Sequence, residues 1–333
     1  MVKKLKDIRP LVIGLGLAGS RHLEAQLKLG IKTGVYNIHP EKIKHLKKKP
    51  NVIVFDNLGD GLEWANLVHI CTPDDKHTEY VAMALRKGKA VLCEKPLTTD
   101  LHEALSLQKL AHKFNSTLIV GQNYRLTPTF LETKKGVSEG ALGTITGIEA
   151  TYLDDMDNYR FGTKWRNMQE FLYAGGSHAI DLACWIIDEP VISVQAATGT
   201  KIRAQYTSQE RYQIILKFAS GILAYIKLNA SSPRLLDGSD LIVEGEKGQL
   251  TSHNKMDELL FYKKGDRKPQ SIKLPNSKTL TTAVEVKIVD DYLLGKIKSH
   301  WPLPEVDEAL NTIKVLDTIQ KAVSSGRNEL IPY

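Results

Sequence analysis

Six short apolar runs alternate with helix-like stretches in the first third of the chain, at residues 11–13, 33–36, 52–55, 67–71, 90–93 and 118–120. Strands that alternate with helices predict βαβ units, and hence a parallel sheet covered on both faces. Right-handed crossovers make this a doubly wound domain, with its ligand crevice at the carboxyl ends of the strands. After Gly121 the pattern changes. Residues 144–153 and 213–228 are long runs of strand character; the second carries Tyr212, Ile214, Leu216 and Phe218 on one face and a Ser220-Gly221 turn in its middle. Shorter strands are expected at 191–196, 241–244, 249–252 and 259–262, and helices at 177–187, 282–294 and 305–323. Such a succession predicts an open, largely antiparallel sheet with helices on one face and the other face free for a partner. The chain therefore reads as α/β: an N-terminal domain over 1–123 and a C-terminal α+β domain over 124–333, with no flexible linker, internal repeat or low-complexity tract.

A length of 333 residues agrees with two domains, each able to bury its own core. The net charge of +7 raises the question of nucleic acid. Much of the excess lies in Lys42, Lys44, Lys47, Lys48 and Lys49, one helical patch without interleaved aromatics, which reads as a solvated face. Cys71, Cys93 and Cys184 form no C-x-x-C pair, which suits a reducing compartment and speaks against a disulfide framework or structural zinc. A basic start (Lys3, Lys4, Lys6, Arg9) before an apolar run imitates a secretory signal, but the run is short and carries three glycines. The expected setting is the cytoplasm, with no membrane and no nucleic-acid partner. No apolar stretch approaches the length of a membrane span.

The chemistry begins at Leu11-Val12-Ile13-Gly14-Leu15-Gly16-Leu17-Ala18-Gly19, a strand running through a G-x-G-x-x-G turn into a helix. In that pattern Gly14 permits the turn, Gly16 lets backbone approach a pyrophosphate, and Gly19 lets the helix pack close to the strand. The helix start then presents free N–H groups to the phosphates. At the end of the second strand Asn37 can bond a ribose without repelling a 2′-phosphate, while His39 and Lys42 stand nearby; both NAD and NADP stay open, with a lean to NAD. Two further strands end in Cys71-Thr72-Pro73-Asp74-Asp75-Lys76-His77 and Cys93-Glu94-Lys95-Pro96. An X-Pro step after a buried strand is a place for a cis peptide, here aiming Lys95.

Together these segments resemble the family of glucose-fructose oxidoreductase, myo-inositol dehydrogenase and their relatives. The resemblance rests on the glycine turn with His22, Thr72-Pro73 with His77, Glu94-Lys95-Pro96, Gly121-Gln122-Asn123-Tyr124-Arg125 with Pro128, Trp165-Arg166, and Gly175-Gly176-Ser177-His178-Ala179-Ile180-Asp181. It implies a Rossmann domain, an α/β domain with an open sheet, and an active site between them. Cofactor contacts are then expected from Gly14, Gly16, Leu17, Ala18, Gly19, Asn37, Cys71, Thr72, Pro73, His77, Glu94, Lys95 and Asn123. The catalytic set is Lys95 at the reacting oxygen, His178 as proton acceptor and Asp181 beside it on the same helix face. Tyr124, Arg125, Trp165, Arg166 and His178 would meet the substrate, with Tyr152 and Tyr173 as further lining, and no metal is expected. A neutral imidazole suits proton abstraction near neutral pH, and an ammonium stabilises charge growing on oxygen. A helix start just after Gly175-Gly176 would disfavour the imidazolium form of His178.

The chain departs from a common family pattern at Ala174, where many sugar and inositol dehydrogenases carry an aspartate four residues before the histidine. The long segment 154–173 reads as a lid. Its run Asp154-Asp155-Met156-Asp157 lacks calcium-loop spacing. The expected activity is an NAD(P)-dependent oxidoreductase working on a sugar, polyol or related hydroxy or keto compound. The alternatives are an NAD-dependent glycosidase and a catalytically silent nucleotide-sensing regulator like the galactose-pathway repressor. A homodimer or homotetramer formed through the open sheet is the expected assembly.

Overall fold

The computed structural model describes residues 8–155, 170–202, 208–232, 238–275 and 281–332. Strands run β1 Pro10–Ile13, β2 Thr33–Tyr36, β3 Val52–Val54, β4 Leu67–Ile70, β5 Ala90–Glu94, β6 Leu118–Gly121, β7 Ile145–Leu153 and β8 Val191–Thr198. They continue as β9 Arg211–Phe218, β10 Leu223–Asn229, β11 Asp240–Gly245, β12 Gly248–His253, β13 Glu258–Lys263, β14 Gln270–Lys273 and β15 Glu329–Leu330. The α-helices are α1 Leu17–Lys28, α2 Pro40–Ile43, α3 Leu58–Trp64, α4 His77–Arg86, α5 Leu101–Phe114, α6 Pro128–Ser138, α7 Ser177–Ile187, α8 Thr281–Leu293 and α9 Val306–Ser325. Among the described residues no helix is long and apolar enough to cross a membrane.

Two compact units divide the chain. The first comprises Met1–Asn123 and Thr279–Ile313. Its sheet is wholly parallel in the order β3-β2-β1-β4-β5-β6, with the order reversing between β1 and β4. Period-two alternation explains why the strands are apolar throughout. Leu11, Ile13, Val68, Ile70, Val91, Cys93, Leu118 and Val120 pack with Leu62, Val81, Leu85 and Leu107 of α3, α4 and α5. Their neighbours Val12 and Val35 turn to the opposite face, against Leu23 of α1 and against Ile43 and Leu46. The basic run is amphipathic as expected: Ile43 and Leu46 are buried while Lys42, Lys44, Lys47, Lys48 and Lys49 are exposed. Lys47 pairs with Asp56 at 3.1 Å.

A single division at 123/124 does not describe these units. The stretch Thr279–Ile313 joins the first, because α8 packs on α1 and buries Glu285, Val286, Val289 and Asp290, and because Val306 and Ala309 enter the β-sheet core.

The second unit comprises Tyr124–Lys278 and Lys314–Tyr333. Its sheet runs β14-β13-β12-β11-β7-β10-β9-β8-β15, antiparallel except for the parallel β7–β10 pair. The long apolar run at 213–228 is the hairpin β9–β10, turning where Gly221 takes φ +94°. Alternate residues Tyr212, Ile214, Leu216 and Phe218 are buried, as are Ala224, Ile226 and Leu228. Two strands escaped the sequence pattern. β14 (Gln-Ser-Ile-Lys) is exposed throughout and β15 has two residues, so neither carries an apolar alternation.

Candidate active site

The glycine turn lies at the reversal of strand order, where open α/β sheets place their ligand. Gly14 has φ +87°, and a Cβ there would stand 2.6 Å from the Cys71 carbonyl oxygen. Its N–H is held by the Tyr36 carbonyl at 3.0 Å, so the turn is fixed to both flanking strands. A Cβ on Gly19 would overlap the Gly14 carbonyl oxygen, which brings α1 hard against the turn. Gly16 differs from both. It caps α1 with no side-chain hydrogen bond, has φ −77°, and a Cβ on it would meet nothing within 4 Å. Packing thus explains Gly14 and Gly19 but gives no reason for glycine at 16. The open space above Gly16 and the uncapped start of α1 fit a pyrophosphate. Leu17, Ala18 and Gly19 supply the first helical turn there.

Around this turn, Asn37 is half-buried and its Oδ1 accepts the His39 N–H at 2.9 Å, an Asx turn at the end of β2. Cys71 is buried at the end of β4, and burial, with the Glu94 charge behind it, pushes its thiol well above the ordinary range. The buried Thr72 Oγ1 has no hydrogen-bond partner, an orphaned hydroxyl beside the strand-order reversal that suits a polar ligand. Pro73 ends the strand and precedes a short 3₁₀ turn, Asp74–Lys76. His77 is fully buried, with Nδ1 2.7 Å from the Pro96 carbonyl and Nε2 3.0 Å from the Thr72 carbonyl. It braces the loops after β4 and β5 against each other rather than facing outward. The Lys95–Pro96 peptide is cis, as the X-Pro position suggested. Glu94 and Lys95 are half-buried, and Asn123 opens a 3₁₀ turn, Asn123–Leu126.

In the second unit His178 is nearly buried and stacks on Tyr124, with ring centroids 3.9 Å apart and planes at 13°. Tyr152 lies 5.7 Å from the same ring at 23°. Gly175 and Gly176 allow this close packing: a Cβ on Gly175 would stand 2.5 Å from the Tyr152 ring, and one on Gly176 2.5 Å from Leu228.

One expectation changes here. His178 does not follow a helix start. A π-helical turn, Leu172–Gly176, runs into α7 with helical φ/ψ at Gly176, so His178 lies inside a continuing helix and receives no free N-terminal dipole. Asp181 is engaged by Arg125: Nε and Nη2 of Arg125 each donate at 2.7 Å to its two carboxylate oxygens. Arg125 is 1% exposed and lies over the Trp185 ring at 5.4 Å. Tyr173 is likewise core, its hydroxyl donating to Gln320 at 3.0 Å. Trp165, Arg166 and most of the 154–173 segment lie outside the described residues. No group of His, Cys, Asp or Glu suited to a metal occurs among the described residues.

Sequence patterns missed a buried polar chain in the first unit. His22 Nε2 is 3.1 Å from Glu94 Oε1, His22 Nδ1 is 2.9 Å from His69 Nδ1, and His69 Nε2 is 3.3 Å from Gln26 Nε2, which also donates to Asp290 at 3.2 Å. The one available signal was a histidine inside the apolar run Leu67-Val68-His69-Ile70. Burial raises the Glu94 carboxyl, but the His22 hydrogen bond and the charges of His22, Lys95 and His77 outweigh it and hold Glu94 below the usual range. Burial, reinforced by His22, pushes His69 well below the ordinary imidazole.

The parallel 3-2-1-4-5-6 order, with its open glycine turn at the reversal, defines a dinucleotide-binding domain. Residues 8–122 match the model of an oxidoreductase family with an NAD-binding Rossmann fold, and residues 130–251 match the GFO/IDH/MocA C-terminal domain. The chain belongs to the Gfo/Idh/MocA family of NAD-binding oxidoreductases. Among its relatives is an uncharacterized oxidoreductase of Schizosaccharomyces pombe, 31% identical over 60% of this chain and 56% of that protein, so the match spans little more than half of that relative. Inositol 2-dehydrogenase of Rhizobium meliloti is 26% identical over 78% of this chain and 79% of its own length. The solved structure of levoglucosan dehydrogenase in complex with NADH and levoglucosan shares the fold, with a TM-score of 0.86, 18% identity, and coverage of 98% of this chain and 100% of that one.

Proposed function

We propose that the protein is an NAD-preferring dehydrogenase that oxidises a secondary alcohol of a sugar, polyol or related hydroxy compound, or reduces the corresponding ketone. The observation that carries this reading is the space left open above Gly16 at the reversal of strand order. Relatives named for inositol and levoglucosan support the substrate class.

In this reading the turn at Gly14, Gly16 and Gly19 and the start of α1, at Leu17 and Ala18, hold the pyrophosphate, and Asn37 holds the adenosine ribose. Cys71, Thr72, Pro73, Glu94 and Asn123 border the cofactor, with His77 bracing their loops. Bound NAD supplies the acceptor for the hydride that leaves the alcohol carbon. Lys95 stabilises negative charge on the reacting oxygen. His178 takes the hydroxyl proton as a neutral imidazole, its ring plane held by Tyr124 and Tyr152. The Ala174 methyl cannot carry a proton, so His178 serves without the aspartate common at that place. Asp181 acts through Arg125, as the counter-charge of a buried guanidinium.

The proposal extends to assembly and setting. Alternate β9 and β10 residues Gln213, Lys217, Tyr225 and Lys227 are exposed on one sheet face, suiting contact with a second copy in a homodimer or homotetramer. The buried thiols Cys71 and Cys93 suit the cytoplasm. The test is a panel of sugars, inositols and their keto forms, read at the reduced-nicotinamide absorbance with NAD and NADP in parallel. Turnover of a polyol with NAD supports the reading. Release of a sugar without net cofactor reduction, or cofactor binding with no turnover, would replace it with a glycosidase or a nucleotide sensor.

A further inference from the structure

The buried chain from Gln26 to Glu94 ends in a contact whose direction is set by the carboxylate. An ionised Glu94 carboxylate can only accept, so His22 Nε2 donates to it across 3.1 Å. When the His22 ring is neutral, donation from Nε2 makes Nδ1 an acceptor, and His69 Nδ1–H donates to it across 2.9 Å. His69 Nε2 is then an acceptor, and the Gln26 amide nitrogen fills it at 3.3 Å while its second hydrogen goes to Asp290 Oδ1. Both histidines are 0% exposed, and burial pushes the His69 imidazole well below its ordinary range. The chain thus ends on Glu94, the residue immediately before Lys95.

We propose that His22 is a positioning residue for Lys95: backed by His69 and Gln26, it keeps Glu94 as a fixed carboxylate, and that carboxylate orients and balances the Lys95 ammonium. This rests on the dehydrogenase reading above for the role of Lys95. The surroundings of Glu94 explain why a dedicated donor is needed. Glu285 of α8 is completely buried, with neither carboxyl oxygen hydrogen-bonded, and its approach to Gly121 leaves no room for a Cβ. Burial, and then the Glu94 charge, push its carboxyl well up, which disfavours a second charge beside Glu94. Among the described residues, the other ionisable groups that act on Glu94 or feel its charge are Cys71 of β4, Cys93 of β5, His77 of α4 and Lys95 itself. Both thiols are driven up by burial and stay neutral. The two ring nitrogens of His77 face the Pro96 and Thr72 carbonyls. His22 is the group that gives the carboxylate a direct hydrogen bond.

Two substitutions separate the contacts of His22 while keeping a polar side chain. In His22→Asn the amide stands where Nδ1 stands, meets His69 and falls short of Glu94. In His22→Gln it stands where Nε2 stands and reaches Glu94. The Glu94 carboxylate is followed by ¹³C NMR in glutamate-labelled protein without substrate, its resonance assigned by its loss in Glu94→Gln. Loss of a charge-assisted bond raises the Glu94 titration in His22→Asn by about one to two pH units, and His22→Gln restores it towards wild type. With a substrate from the panel, kcat of His22→Asn falls more steeply below pH 7 than that of wild type while KM changes little, and His22→Gln recovers the wild-type profile. An unmoved Glu94 titration in His22→Asn overturns the proposal, as does a shifted titration with an unchanged kcat profile. Because the titration is read without substrate, its failure is distinct from a wild-type protein that turns over nothing, which would refute the dehydrogenase reading instead.

Discussion

Gly16 and Gly19 stand three residues apart in one turn, yet their replacement should have opposite consequences. At Gly16 an added methyl meets no atom within 4 Å and the backbone φ of −77° is open to any residue. Alanine there reduces unfolded-chain freedom, worth about 0.4–1 kcal/mol, and makes a poorer helix cap, which takes back a similar amount. The net change in stability should stay within about 1 kcal/mol. The same methyl fills the space assigned to the pyrophosphate, so NAD affinity should fall by well over tenfold, and Gly16→Val should abolish it. At Gly19 a Cβ overlaps the Gly14 carbonyl oxygen and stands 3.2 Å from the Cys71 Cβ, so the turn must open. Overpacking of this kind costs about 1–3 kcal/mol, a loss of roughly 2–12 °C in Tm for a unit of this size. Calorimetric titration with NAD and thermal unfolding, run on both variants, separate the two effects. Wild-type NAD affinity in Gly16→Val would refute the assignment of the turn. An unchanged Tm in Gly19→Ala would refute its packing.

Other predictions follow the same logic. Asp181→Ala removes a carboxylate paired with the buried Arg125 guanidinium and should cost about 3–5 kcal/mol in urea unfolding, with Arg125→Met/Asp181→Leu recovering most of it; a loss of turnover with unchanged stability would instead place Asp181 in the proton path. Asn37→Asp should shift the NAD-to-NADP ratio of dissociation constants towards NAD by about 1 kcal/mol, since one charge at partly solvated range repels the 2′-phosphate; an unmoved ratio contradicts the placement of the ribose. Burial raises the Asp290 carboxyl to about 7, so the folded state holds its proton while the unfolded chain has already lost it. Stability should therefore fall as pH rises from about 4 to 7, and Asp290→Asn should flatten that slope in pH-dependent thermal unfolding.

Local pattern made some of this molecule legible and long-range pairing hid the rest. The six strands of the first unit were readable because both sheet faces are covered, which leaves continuous apolar runs ended by Gly14, Pro73 and Pro96. The helix 177–187 was readable in its limits, but not the π-helical turn before it, which depends on Gly175 and Gly176 packing against Tyr152 and Leu228. Spacing suggested Asp181 as the neighbour of His178, three residues away. The partner described for it is Arg125, 56 residues distant, and no periodicity encodes such a pair. The return of α8 to the first unit escaped for the same reason: its contact with α1 joins residues more than 250 positions apart, as in Gln26 with Asp290. His69 looked like one polar residue in a core strand until the fold set it against His22.

The central claim is that Lys95 and His178 serve one chemical step, with Lys95 stabilising charge on the substrate oxygen and His178 removing its proton. Turnover of Lys95→Ala, His178→Ala and the double variant, on the substrate found by the panel, tests it most directly. Loss of the general base should lower kcat about 10²–10⁴-fold, and loss of the ammonium roughly 10²–10³-fold. Because both act in one transition state, the double variant should lose less than the product of the two. NAD should bind His178→Ala as tightly as wild type. Near-normal turnover in both single variants would leave the glycine turn as a cofactor site and contradict this active site.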